Sequence, residues 1–94
     1  MTNMIDDKTK MQISVVASIL YKYCIEYKEY IWFSKLVDKC PIEFERSDVS
    51  KAEDYLIDLG FIETKWANVD KHWTRIYTIP EMWLAHEAYK CLIQ

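Results

Sequence analysis

The chain has 94 residues, of which 51% are hydrophobic, 15% aromatic and 29% charged, enough apolar material for one packed domain and too much for a disordered chain. Its one glycine, Gly60, excludes both a P-loop and a G-x-G-x-x-G dinucleotide turn. A net charge of −3 leaves no basic coat for nucleic acid on average, so any such contact must come from local clustering.

Over residues 9–27, apolar side chains recur at Ile13, Val16, Ala17, Leu20, Cys24 and Tyr27, the stripe of an amphipathic helix. Met11, Val15 and Ile19 form a second apolar row on the opposite side. That row reads either as scattered surface apolars or as a face for a second subunit, and three in line favour the latter. Residues 29–33 are β-branched and aromatic, a short strand for a sheet edge. Ser34 opens a short helix to Lys39 with Leu36 and Val37 inward. Cys40-Pro41 stops it, because proline disfavours helical backbone in the residue before it. Ile42 and Phe44 are apolar anchors of the connection that follows.

Ser47 is suited to cap the next helix through its hydroxyl, and Asp48 sets a negative charge at the positive end of the helix dipole. Val49, Ala52, Tyr55, Leu56 and Leu59 form one face, and Gly60 supplies the left-handed residue that ends the helix. Residues 61–66 and 72–79 are β-prone and flank a turn-rich 67–71, which predicts a β-hairpin ending at Pro80. Residues 81–93 return to helix, with Met82, Ala85, Tyr89, Leu92 and Ile93 on one side. Trp83, Leu84, Ala88 and Cys91 make the other side apolar too, and such a helix needs cover on most of its circumference. These four residues therefore join Met11, Val15 and Ile19 as the expected homodimer contacts. The order of elements, with no repeat or linker, is that of one α+β domain, mostly α, over 1–94, with a core at about 9–80 and a terminal helix at 81–93.

Cys24, Cys40 and Cys91 lack C-x-x-C spacing and His72 and His86 are far apart, so neither a structural zinc site nor a cofactor is expected. An odd cysteine count suits a reducing interior, and Cys91 is either a buried small hydrophobe or a bridge to its symmetry mate. His86 reads as a satisfied core or interface histidine. No serine sits in a G-x-S-x-G turn and no cysteine has a local activating group, so the chain is not expected to be an enzyme. The first residues are polar and acidic, unlike a leader peptide, and no apolar run has the length of a membrane span. A cytoplasmic protein is expected.

The stretch Phe44-Glu45-Arg46-Ser47-Asp48-Val49-Ser50-Lys51-Ala52-Glu53-Asp54-Tyr55-Leu56-Ile57-Asp58-Leu59-Gly60-Phe61-Ile62-Glu63 resembles the recognition helix and first wing strand of winged-helix transcription regulators, above all MarR-like and PadR-like ones. Those regulators place a Ser/Thr-Val-Ser start, a mid-helix Leu and a Leu-x-x-x-Gly-Leu/Phe-Ile end at this spacing. Asp70 and Arg75-Ile76-Tyr77-Thr78-Ile79-Pro80 are similar to their wing and returning strand. The likeness follows the element order over about 13–80, with specific motifs at about 44–63 and 70–80. It implies a winged helix: a three-helix core, a β-hairpin wing and a C-terminal dimerisation helix. It also implies a dimeric, sequence-specific regulator, a repressor, with the recognition helix at about 47–59 in the major groove of double-stranded DNA and the wing at 66–73 on the backbone. The chain departs from the family in two respects. Its wing tip has no glycine, a place where Asn68 can take the left-handed conformation, and its recognition helix is acidic toward the end.

Residues 47–60 set one lysine against four carboxylates and so carry −3, whereas Lys65, Lys71 and Arg75 outnumber Glu63 and Asp70 in 61–80, giving +1 with His72 beside them. The outer face of the recognition helix carries Ser47, Ser50 and Lys51 in its first half and Asp54 and Asp58 in its second, with Arg46 just before it. Arginine and lysine bond guanine N7 and O6, and serine bonds base or phosphate. The expected DNA contacts are thus Arg46, Ser47, Ser50, Lys51, Lys65, Lys71, His72 and Arg75. They supply about three to five phosphate contacts per subunit. The alternative is a winged-helix interaction module that binds a protein partner through the acidic helix face or the aromatic wing. Trp66 and Trp73 flank the wing loop and either pack across the strands or on a helix, or stack on bases or ligand rings. The seven tyrosines suit an aromatic core or a pocket for a small-molecule effector.

Overall fold

The computed structural model describes residues 6–80; the terminal helix expected at 81–93, with Trp83, Leu84, His86, Ala88 and Cys91, lies outside the described residues. Helix α1 spans Asp7–Tyr21. Asp6 caps it by accepting the Thr9 N–H at 2.7 Å, a bond that also holds the Asp6 carboxyl below its ordinary pKa. Its inward stripe is the expected one, Ile13, Val16, Ala17 and Leu20, all buried.

The helix does not run unchanged to residue 27. Lys22–Glu26 form a π-helical turn, closed by the Tyr27 N–H donating to the Lys22 carbonyl at 2.9 Å. Lys28 then takes a left-handed φ of 56° and reverses the chain. The wider turn lets Tyr23, Cys24 and Ile25 all pack against the core, which successive positions on a tighter helix achieve less well. The expected strand at 29–33 does not form: residues 29–32 belong to neither strand nor helix, and Phe33 already opens the next helix. Ile31, fully buried, joins the hairpin through its carbonyl, which accepts the Tyr77 N–H at 3.0 Å.

Helix α2 spans Phe33–Lys39, starting one residue before Ser34, with Leu36 fully buried and Cys40 leaving the helix in extended conformation before Pro41. Of the two anchors expected in the next connection, Phe44 is buried but Ile42 is 97% exposed. Helix α3 spans Arg46–Asp58. Its N-cap is Glu45, not Ser47: the Asp48 carboxylate at the third helical position accepts the Glu45 N–H at 3.0 Å, so the helix closes two residues earlier than the serine would set it. Val49, Ala52 and Leu56 are its buried face, while Tyr55 is half-buried and Leu59 is exposed. At the other end Gly60, with φ 79°, carries a Schellman closure in which the Phe61 N–H meets the Leu56 carbonyl at 3.0 Å and the Gly60 N–H meets the Ile57 carbonyl at 2.9 Å.

Strands β1 (Glu63–Val69) and β2 (His72–Thr78) pair antiparallel from Glu63↔Thr78 to Val69↔His72. The loop expected at 67–71 is therefore shorter. Asp70 and Lys71 alone make the turn, with φ of 52° and 69°, the left-handed pair of a type I′ turn that matches strand twist. The left-handed residues are thus these two rather than Asn68. The core joins α1, α3, Leu36, Phe44, Ile31, Ile62, Tyr77 and Ile79. Among the described residues the fold is α+β, mostly helical, with three α-helices and a two-stranded hairpin, a layout compatible with a winged helix. No helix among the described residues is long and apolar enough to cross a membrane.

Lysine at a left-handed position carries backbone strain that glycine does not. Lys71→Gly is expected to stabilise the fold by roughly 0.5–1 kcal/mol, about 3–6 °C in melting temperature. Calorimetry showing an unchanged or lower melting temperature would refute strain at the turn.

Candidate nucleic-acid interface

With Val49, Ala52 and Leu56 turned inward, the helical period places Arg46, Ser50 and Glu53 on the flank of α3 that faces the hairpin, at i, i+4, i+7. Register does the same for the hairpin. Thr64↔Tyr77, Trp66↔Arg75 and Asn68↔Trp73 are opposed pairs, so these six side chains share one face of the sheet. Between the two elements lies an open groove of about 290 Å³ lined by Phe33, Ser50, Glu53, Thr64, Arg75 and Tyr77.

Arg75 lines this groove, and Arg46 adjoins it through Phe33. The Arg46 guanidinium carbon sits 5.0 Å from the centre of the Phe33 ring, a cation–π contact. Arg75 donates from Nε to the Thr64 hydroxyl at 3.0 Å across the strands. The acidic member, Glu53, accepts a hydrogen bond from the Tyr77 hydroxyl. Burial first, and then the bond and charge of Glu53, raise the Tyr77 pKa, so the phenol stays neutral and keeps donating. The carboxylate in the groove is therefore engaged by the protein itself.

Of the residues expected to contact DNA, Ser50 and Arg75 line this groove, and Arg46 stands at its border on Phe33. Ser47 is exposed on the outer ridge of α3, on the same side as Asp54 and Asp58. Lys51 lies on the other flank and lines a depression with Asp6, Lys8 and Asp48. Lys65 and His72 occupy the reverse face of the hairpin, opposed to Ile76 and Val69, and Lys71 stands at the tip. The reverse face closes a second depression of about 230 Å³ that includes Cys24, Tyr30, Lys65 and Ile79.

Trp66 and Trp73 pack neither across the strands nor on a helix enough to hide them; they are 64% and 70% exposed. They share the groove-side face with Arg75. Thr64, Glu53, Phe33 and Tyr77 were absent from the expected contacts, and the alternation that assigns the hairpin residues to this face depends on knowing that the turn has two residues rather than five. Met11, in the expected dimer row, is 47% exposed, while Val15 and Ile19 are half-buried against the chain's own core.

No protein-family model matches the chain, and no curated protein or solved structure does so either.

The buried ionisable groups make an alkaline prediction. Burial pushes the Cys24 and Cys40 thiols up to about 11 from an ordinary value of 9.0. Thiols that ionise more easily in the unfolded chain favour folding fully below the unfolded value and lose that effect as pH rises through the folded one. The urea midpoint should accordingly hold steady up to about pH 8.5 and fall between 9 and 11, with a shallower fall in Cys24→Ala. A midpoint constant to the upper limit would contradict the burial of these thiols.

Proposed function

We propose that this protein is a winged-helix DNA-binding regulator that works as a homodimer, with α3 in the major groove of double-stranded DNA and the hairpin as a wing on the flanking backbone. The observation that supports the reading is a groove lined by Ser50 from α3 and Arg75 from the hairpin, with Arg46 stacked on its Phe33 wall and its carboxylate, Glu53, bonded to Tyr77. The N-terminal end of such a helix lies nearest the bases, and Arg46 and Ser47 on the first turn and Ser50 on the second supply donors there. Asp54 and Asp58 repel phosphate, but they lie on the later turns, farther from the expected bases. The role in transcription rests on the resemblance of residues 44–63 and 70–80 to MarR-like and PadR-like regulators.

A second reading, a module for a protein partner, is favoured by the exposed Asp54–Asp58 ridge. Titration of a random-sequence duplex pool over a range of salt separates the two. DNA binding that weakens with salt is expected, and Arg46→Ala and Arg75→Ala should each weaken it several-fold and lower the salt slope by about one. Lys51→Ala, on the acid-lined flank, should do less. Absence of binding at low salt removes the DNA reading and leaves the partner module.

The dimer is tested separately. Met11→Asp places a charge on the exposed end of the α1 row without entering the core, and sedimentation should then report a monomer. A dimer of unchanged stability would move the contact off α1.

A further inference from the structure

Tryptophan is a costly residue to leave in water, and here two are held there by a rigid element. Seven paired positions and the type I′ turn fix the hairpin, so Trp66 and Trp73 are presented with little conformational freedom left to lose on binding. Directly opposite them stand Arg75 and Asn68. The face they share with Thr64 and Tyr77 contains no carboxylate of the hairpin; beneath it Glu53 is bonded to Tyr77, and Asp54 of α3 is near enough to act on the Tyr77 phenol through its charge. Arg46 lies at the groove end of this surface and Lys71 at the tip.

That composition narrows the occupant. The indoles are interleaved with a guanidinium, an amide and a hydroxyl, so an occupant that offers ring faces, an anion and hydrogen-bonding edges together uses the whole surface. Flat heteroaromatic rings joined by an anionic chain match every part: ring faces for the indoles, phosphates for the arginines, ring edges for Asn68 and Thr64. In a regular duplex those ring faces are covered by neighbouring base pairs. Only unpaired bases offer them.

We infer that the groove-side face of the wing is a stacking platform for unpaired DNA bases, with Arg75 on the adjoining phosphates. The chain therefore prefers DNA that is opened beside the wing to uniform duplex. The cationic part of this inference rests on the DNA reading given above, while the indoles are an independent observation.

Fluorescence anisotropy with three labelled probes tests it: a short duplex, the same duplex with a central mismatched bubble, and an oligothymidine strand. The bubble should bind roughly tenfold tighter than the duplex. The double variant Trp66→Ala with Trp73→Ala should lose that preference and the oligothymidine binding by roughly tenfold, leaving duplex affinity within about twofold. Phenylalanine at both positions should keep most of the preference, and leucine at both should lose it, since stacking needs a ring and not merely apolar area. Both side chains are exposed, so circular dichroism should show all three variants folded. Equal affinity for bubble and duplex, or a preference that survives leucine, overturns the platform while Arg46-dependent duplex binding stands. Failure of all three probes at low salt overturns the platform and the DNA reading together.

Discussion

Tyr77 is bonded in three directions, and the relation of hairpin to helices depends on it. Its N–H reaches the Ile31 carbonyl at 3.0 Å, its carbonyl accepts from the Cys24 thiol at 3.5 Å, and its hydroxyl donates to Glu53 on α3. One residue of β2 thus joins the segment before α2, the π-helical end of α1 and the middle of α3. Each bond is worth only about 1 kcal/mol net. Their combined effect is positional, because a two-stranded hairpin is marginal alone and must take its orientation from what it is attached to. The groove between α3 and the hairpin is held by that attachment.

The same residue bears on the charge problem. Residues 47–60 carry −3, which by itself argues against a polyanion. The fold distributes these carboxylates rather than pooling them. Glu53 faces the groove and is bonded to Tyr77, Asp48 holds the Glu45 N–H at the start of the helix, and Asp54 and Asp58 remain exposed on the outer ridge. The cations follow a different division. Arg46 and Arg75 approach the groove, while Lys51, Lys65 and His72 lie elsewhere. Net charge over a segment is a poor guide to potential at a surface when the side chains point around a whole helix.

The groove-side face of the hairpin brings two kinds of side chain within reach of one another: a hydrogen-bonding cation, Arg75 on β2, with Arg46 of α3 on the neighbouring Phe33, and the indole rings of Trp66 and Trp73. Duplex grooves are read by the first, and exposed base faces by the second. A hairpin of seven pairs closed by two left-handed residues is the element that presents the rings outward.

Local chemistry decided a good part of this protein. The α1 stripe at Ile13, Val16, Ala17 and Leu20, the inward Val49, Ala52 and Leu56, the stop at Cys40-Pro41 and the left-handed Gly60 could all be read in the chain, because periodicity, proline sterics and glycine freedom act within a few residues. Where the alternatives differed by one small bond or one residue of register, tertiary structure chose. Packing of Tyr23, Cys24 and Ile25 accompanies the widened end of α1, and the bond from the Tyr77 N–H ties Ile31 to the hairpin in a segment that forms no strand. The start of α3 ahead of Ser47, by contrast, is a local choice made by Asp48 three residues from the Glu45 N–H. The two-residue turn decided most: shortening the loop set the alternation that puts Trp66, Trp73 and Arg75 on one face and Lys65 and His72 on the other. A side chain's identity is written in the sequence, but the direction in which it points is a property of pairing across the sheet, and that is settled only when distant residues meet.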